Sequence, residues 1–115
     1  MLNEKITKLF KAVDSSNWND LRELFHSEIV YERPGYEPFE GLERVMRFYQ
    51  QERILASGEH RIERIVFQGS DGACYGRFVG FKKDGSEVDE LFADVYSFED
   101  GKIRTRRSYF FRPAV

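Results

Sequence analysis

Apolar residues recur at helical spacing from Leu2 to Val13, through Ile6, Leu9 and Phe10, and predict a first helix with one face turned to a core. Asp14-Ser15-Ser16-Asn17 ends that pattern, favours a turn, and offers capping oxygens to a second, shorter helix carrying Trp18, Leu21, Leu24 and Phe25 on one side. Ile29-Val30-Tyr31-Glu32-Arg33 is β-prone and is halted by Pro34-Gly35. Pro38 and Gly41 punctuate a loop. A third helix follows, with Leu42, Val45, Met46, Phe48, Tyr49 and Leu55 as its stripe and Gly58 as its end.

The second half changes period. Ile62 to Gln68, Ala73 to Lys82, Glu87 to Phe98 and Lys102 to Phe111 read as four strands. Ser70-Asp71-Gly72, Lys83-Asp84-Gly85 and Glu99-Asp100-Gly101 separate them, and Asp-Gly between β-prone runs is a hairpin signal because glycine accepts positive φ. The order α-α-β-α-β-β-β-β, without linker, repeat or low-complexity segment, predicts one α+β domain over residues 1–115. Three helices grouped early in the chain would cover one face of a strongly curved, mainly antiparallel sheet, leaving a pocket between.

Composition narrows the function classes. The net charge of −2 offers no global basic field for nucleic acid, and Arg104, Arg106, Arg107 and Arg112 form only a local exception. Alternation puts Arg104 and Arg106 on one face and Arg107 with Tyr109 on the other, a strand partly solvated or at an interface. The lone Cys74 excludes an internal disulfide and a thiolate zinc site; it reads as a small buried residue. His26 and His60 stand far apart without a spaced carboxylate set, so no metal motif is present. No apolar run reaches the length of a membrane span and no signal-peptide core opens the chain, so the expected location is cytoplasmic. Aromatic residues, with 11 Phe and 6 Tyr, exceed what aliphatic core-filling needs and suit an aromatic interior.

Four stretches carry a family resemblance: Ser16-Asn17-Trp18-Asn19-Asp20-Leu21, the run from Tyr31 to Gly41, the run from Gly41 to Tyr49, and the run from Phe92 to Ile103. In order and spacing they resemble the SnoaL-like and ketosteroid-isomerase-like families of the nuclear transport factor 2-like superfamily, across essentially the whole chain. The resemblance implies the cone-shaped fold, a homodimer, no cofactor, and acid–base chemistry on a small molecule. Asp94 matches the penultimate-strand aspartic acid that donates a hydrogen bond to a developing oxyanion in ketosteroid isomerases. Tyr49 matches a supporting tyrosine. The places of the carboxylate base and of the principal tyrosine hold Arg33 and Leu9, which argues against steroid isomerisation. Epoxide-hydrolase-like relatives use an Arg-x-Asp pair and a last-strand aspartate; here those places hold Phe92-Ala93-Asp94 and Ser108. The SnoaL-type polyketide cyclases, with an aspartate base and little else, are the enzymatic analogy least contradicted.

Strand alternation puts Glu90, Phe92, Tyr96 and Phe98 on the face of Asp94. A carboxyl between Phe92 and Tyr96 would lose hydration, which raises its pKa and suits it to acid–base work, unless an arginine pairs with it. Arg33 is the expected cation, facing the same cavity. Asp94, Tyr49 and Arg33 are therefore the catalytic candidates, and Tyr31, Phe48, Phe92, Tyr96 and His60 the substrate-binding wall. His60 can also shuttle a proton, its intrinsic pKa being about 6.5. Two functions fit: a small cofactor-independent isomerase or cyclase acting on an apolar carbonyl compound, or a non-catalytic module of the same fold that binds an apolar small molecule or a protein chain.

Overall fold

The computed structural model describes residues 1–112. Helix α1 spans Leu2–Asp14, with Glu4 in its first turn and Lys11 in its last, the charges its dipole favours at each end. It buries Ile6, Leu9, Phe10 and Val13. Helix α2, Trp18–Leu24, is capped by Asn17, whose side-chain oxygen accepts the Asp20 N–H at 3.2 Å. Strand β1, Phe25–Glu32, starts directly where α2 stops, so Phe25 belongs to the sheet and not to the helix. Strand β2 is the two-residue Phe39–Glu40.

Helix α3 is shorter than the apolar stripe predicts. It runs Leu42–Arg47 and continues as one π-helical turn, Phe48–Glu52. Arg53 then turns extended, and β3 begins at Leu55, seven residues before the expected Ile62. Gly58 therefore sits within a strand instead of closing a helix. A Cβ there would lie 2.2 Å from the Phe78 ring, so glycine is required by the close approach of β4. Sheet pairing of Ser57 to Ile62 with Gly76 to Phe81 overrides the helical spacing of the local sequence.

Strands β3 (Leu55–Gln68), β4 (Asp71–Lys82), β5 (Glu87–Glu99) and β6 (Lys102–Phe110) form a meander of hairpins. The first hairpin turns on Gly69-Ser70, not on Asp71-Gly72, since Gln68 pairs with Asp71 and Gly69 carries φ 62°. The third turns on Asp100-Gly101 as expected, with φ 54° and 74°. The sheet order is β2-β1-β6-β5-β4-β3, antiparallel except where β1 runs parallel to β6. The helices cover one face, and between them lies a core of Leu9, Leu21, Phe25, Ile29, Phe39, Val45, Met46, Phe48 and Ile103.

One irregularity decides the chemistry of the interior. Phe98 pairs with Ile103 but Ser97 pairs with Thr105, so Arg104 is an extra residue in β6. The bulge separates Arg104 from Arg106, which plain alternation puts together. Arg104 stays near the surface and donates to Glu28 O at 2.5 Å, whereas Arg106 turns inward and is 4% exposed. Arg106, Ser108 and Phe110 thus join Glu90, Phe92, Asp94, Tyr96 and Phe98 on the helix-covered face.

Candidate active site

Asp94 lies at the middle of β5, 1% exposed. Its Oδ2 accepts from Tyr96 OH at 2.8 Å, from Arg106 Nη2 at 2.8 Å and from Arg106 Nε at 3.1 Å. Its Oδ1 is buried with no hydrogen-bond partner among the described residues. The remaining Arg106 nitrogen, Nη1, donates to Tyr49 OH at 2.5 Å, and the guanidinium lies 4.5 Å from the centre of the Tyr31 ring. Tyr31 OH hydrogen-bonds Ser108 Oγ at 2.8 Å and accepts from Arg33 Nη1 at 2.9 Å. Arg33 packs between the rings of Phe48 and Phe110, 5.3 and 5.0 Å from their centres.

The ionisation of these groups follows from burial and from the two arginines. Burial would raise the Tyr31 phenol, but Arg106 and Arg33 outweigh it and hold Tyr31 below the ordinary tyrosine value. Tyr49 responds oppositely: burial pushes it up to about 12 against the pull of Arg106. Burial, reinforced by Asp94, also raises Tyr96. Three phenols in one hydrogen-bonded cluster thus differ in acidity. Burial pushes Cys74 up to about 11, which suits a packing thiol and not a nucleophile.

A second constellation lies across Phe10 and Phe92. His60, on β3, places Nδ1 2.5 Å from Asp14 Oδ1, and its backbone N–H donates to Asp14 Oδ2 at 2.8 Å. Asp14 is the last residue of α1, so helix and strand are joined at this point. A carboxylate only accepts, so Nδ1 carries the proton and Nε2 is left as the basic nitrogen. The imidazole packs against Phe10, Phe78 and Phe92 with centroid distances of 4.7, 4.6 and 5.4 Å. Burial lowers the His60 pKa despite the Asp14 carboxylate, and Arg53 and Arg106 act in the same direction as burial.

Two cavities share Asp14 in their lining. One, of about 590 Å³, runs between α1 and β3 and is lined by Phe10, Asp14, His60, Ile62 and Ile65 among others. The other, of about 320 Å³, lies at the end of α1 beside the π-helical turn and is lined by Asp14, Trp18, Tyr49, Arg53 and Leu55 among others.

The fold brings Tyr31, Arg33, Phe48, Tyr49, Asp94 and Tyr96 into one neighbourhood, with Phe92 linking it to His60. The counter-charge on Asp94, however, is Arg106 of the neighbouring strand and not Arg33, so the expectation that Arg33 supplies that cation is corrected. An arginine cross-strand from Asp94 makes it an anchor for a guanidinium. Sequence reasoning missed Arg106 because alternation counted from Arg104 crosses the bulge; counted back from Ser108, it gives the inward face. It missed the pairing of Asp14 with His60 because Asp14 reads locally as a turn residue, 46 positions away. The metal reading also gains a detail: His26, Glu99 and Asp100 meet within 4.8 Å at the surface, where His26 Nε2 lies 3.1 Å from Glu99.

The helix-covered, mostly antiparallel sheet with a polar cluster buried in an aromatic interior is the nuclear transport factor 2-like class of fold. Solved structures agree. A protein from Jannaschia sp. CCS1 described as a SnoaL-like polyketide cyclase superposes with a TM-score of 0.84 at 16% identity, over 96% of this chain and 85% of that one. An LEH-like epoxide hydrolase from M. tuberculosis gives 0.81 at 19% identity, over 93% and 80%. A protein with a ketosteroid isomerase-like fold from Catenulispora acidiphila DSM 44928, in complex with trimethylamine, gives 0.82 at 16%, over 92% and 84%. At these identities the likeness establishes the fold. The SnoaL-like domain family matches residues 6–106, and the chain belongs to that family. No curated protein sequence matches it. No helix among the described residues is long and apolar enough to cross a membrane.

Proposed function

We propose that the chain is a small cofactor-independent enzyme of the isomerase or cyclase type that moves a proton on an apolar carbonyl compound. The observation that carries this reading is the His60–Asp14 pair. A partly buried, neutral imidazole is oriented by a carboxylate at 2.5 Å, next to a cluster rich in hydrogen-bond donors. His60 Nε2 would accept the substrate proton, with Asp14 holding the tautomer and stabilising the imidazolium. Tyr49 and Tyr31, polarised by Arg106 and Arg33, would supply hydrogen bonds to the oxygen where negative charge develops. Asp94 acts in this scheme by fixing Arg106, a positioning role in place of the titrating role read from the strand alone. The substrate would enter between α1 and the start of β3, where His60 lines the larger cavity and Tyr49 the smaller, with Phe48, Phe92 and Tyr96 as the packed apolar layer behind them.

The test is exchange of deuterium from heavy water into the carbon next to the carbonyl of an apolar ketone such as 2-tetralone, followed by NMR. His60→Asn should slow enzyme-catalysed exchange about 10²- to 10⁴-fold, the usual contribution of a positioned base. Asp14→Asn should slow it less. Exchange that is unaffected by His60→Asn removes the assignment. The alternative, a non-catalytic module, is favoured by one observation: the Asp94–Arg106–Tyr49 and Tyr31–Ser108 bonds already satisfy most of the interior polar atoms without a ligand.

A further inference from the structure

The reading above uses Asp14, His60, Asp94 and Arg106 and leaves one partly buried cation without a task. Arg53 follows the π-helical turn, held by its backbone N–H to Phe48 O at 2.8 Å. Its guanidinium lies 5.7 Å from the ring centres of both Tyr49 and Phe78. Among the described residues no carboxylate pairs with it, no acceptor engages its side chain, and its Nε is buried without a hydrogen bond. Neighbouring arginines differ: Arg44 and Arg47 bind Glu52, and Arg106 binds Asp94. Burial holds Arg53 below the ordinary arginine value, although a guanidinium stays charged. A partly desolvated guanidinium held by two ring faces, with Asp14 near enough to favour its charge, keeps its terminal N–H groups available to an anion.

Arg53 lines the cavity of about 320 Å³ together with Trp18, Tyr49, Val13 and Leu55. Asp14, the acidic group on the same wall, is committed to His60, and Lys83 stands at the exposed rim. A single planar guanidinium fork matches a planar monoanion, and the aromatic wall matches a ring. We propose that Arg53 is an anion-binding residue and that this cavity receives a small aromatic carboxylate, its ring against Trp18 and Tyr49. The site deepens the function proposed above by giving the substrate a carboxylate, and it rests on that reading only for the claim that the bound molecule is turned over.

Trp18 is the chain's single tryptophan, so its fluorescence reports on this cavity. Benzoate and its neutral isostere benzamide would be titrated at constant ionic strength, with NMR of the Arg53 Nε–Hε signal in parallel. Benzoate should give a saturable change and move the Arg53 signal, and benzamide should bind at least tenfold more weakly. Arg53→Gln should weaken benzoate at least tenfold, the scale of a charge-assisted bidentate contact. The Arg53 signal in the wild-type protein keeps the test decisive if the variant does not fold. His60→Asn should remove ketone exchange while benzoate still saturates and still moves the Arg53 signal, so the two proposals fail separately. No benzoate binding, equal binding of benzamide, an unmoved Arg53 signal, or full affinity in Arg53→Gln would each overturn the assignment.

Discussion

Replacing Arg106 by Met tests the interior most severely. The substitution keeps much of the side-chain volume but removes three hydrogen bonds, two to Asp94 Oδ2 and one to Tyr49 OH. Asp94 would keep only Tyr96 OH on Oδ2, while Oδ1 has no partner to begin with. With Asp94 1% exposed, water cannot substitute for the guanidinium. Breaking a buried pair from one side costs about 3–5 kcal/mol, because a charge is left uncompensated. For a domain of 115 residues that corresponds to a fall in Tm of about 10–20 °C. The companion variant is Asp94→Leu with Arg106→Met. Removing both charges leaves no charge unpaired, although the Tyr49 and Tyr96 hydroxyls lose their partners, so the double variant should recover part of the loss and be more stable than the sum of the singles. Urea unfolding at neutral pH of the wild type, both single variants and the double variant gives the coupling energy directly. A single-variant loss below about 1 kcal/mol, or a double variant as unstable as the sum of the singles, would refute the pairing.

Two further outcomes follow from the same geometry. The His60 pKa is lowered in the folded state, so folding favours the neutral imidazole. Its contribution is complete above the unfolded value of about 6.5 and is lost as pH falls below it. Urea midpoints between about pH 7.5 and 5.5 should therefore drop more steeply for the wild type than for His60→Gln, and parallel slopes would contradict the assignment. On the outer face of the sheet, Tyr75 and Tyr109 flank Ala93 in one row, with Val66, Leu91 and Val95 exposed nearby. We propose that a second copy of the chain covers this face, since aromatic residues with arginine suit an interface core. Sedimentation should show a dimer that Tyr109→Glu dissociates, and a wild-type monomer at tens of micromolar would refute it.

Local sequence determined much of this protein. Helical spacing gives α1 and α2, alternation gives the inward row Glu90, Phe92, Asp94, Tyr96 and Phe98, and Asp100-Gly101 fixes the last hairpin, because each depends on neighbours only a few residues apart. The tertiary structure decided the remainder. The stretch from Phe48 to Ile62 has helical spacing at its start, yet pairing with β4 turns most of it into strand, since backbone hydrogen bonds to a neighbouring strand outweigh a weak local preference. The parallel seating of β1 against β6 aligns Tyr31 with Arg106 across the chain, and no local pattern records a pairing at that separation. The bulge at Arg104 reverses the face of the residues before it relative to those after it, so one extra residue decides which arginine reaches Asp94. The Asp14–His60 pair has the same origin. Its two members become neighbours only when α1 packs on β3, because apolar burial along the whole helix, and not any signal in either residue, sets where the helix ends.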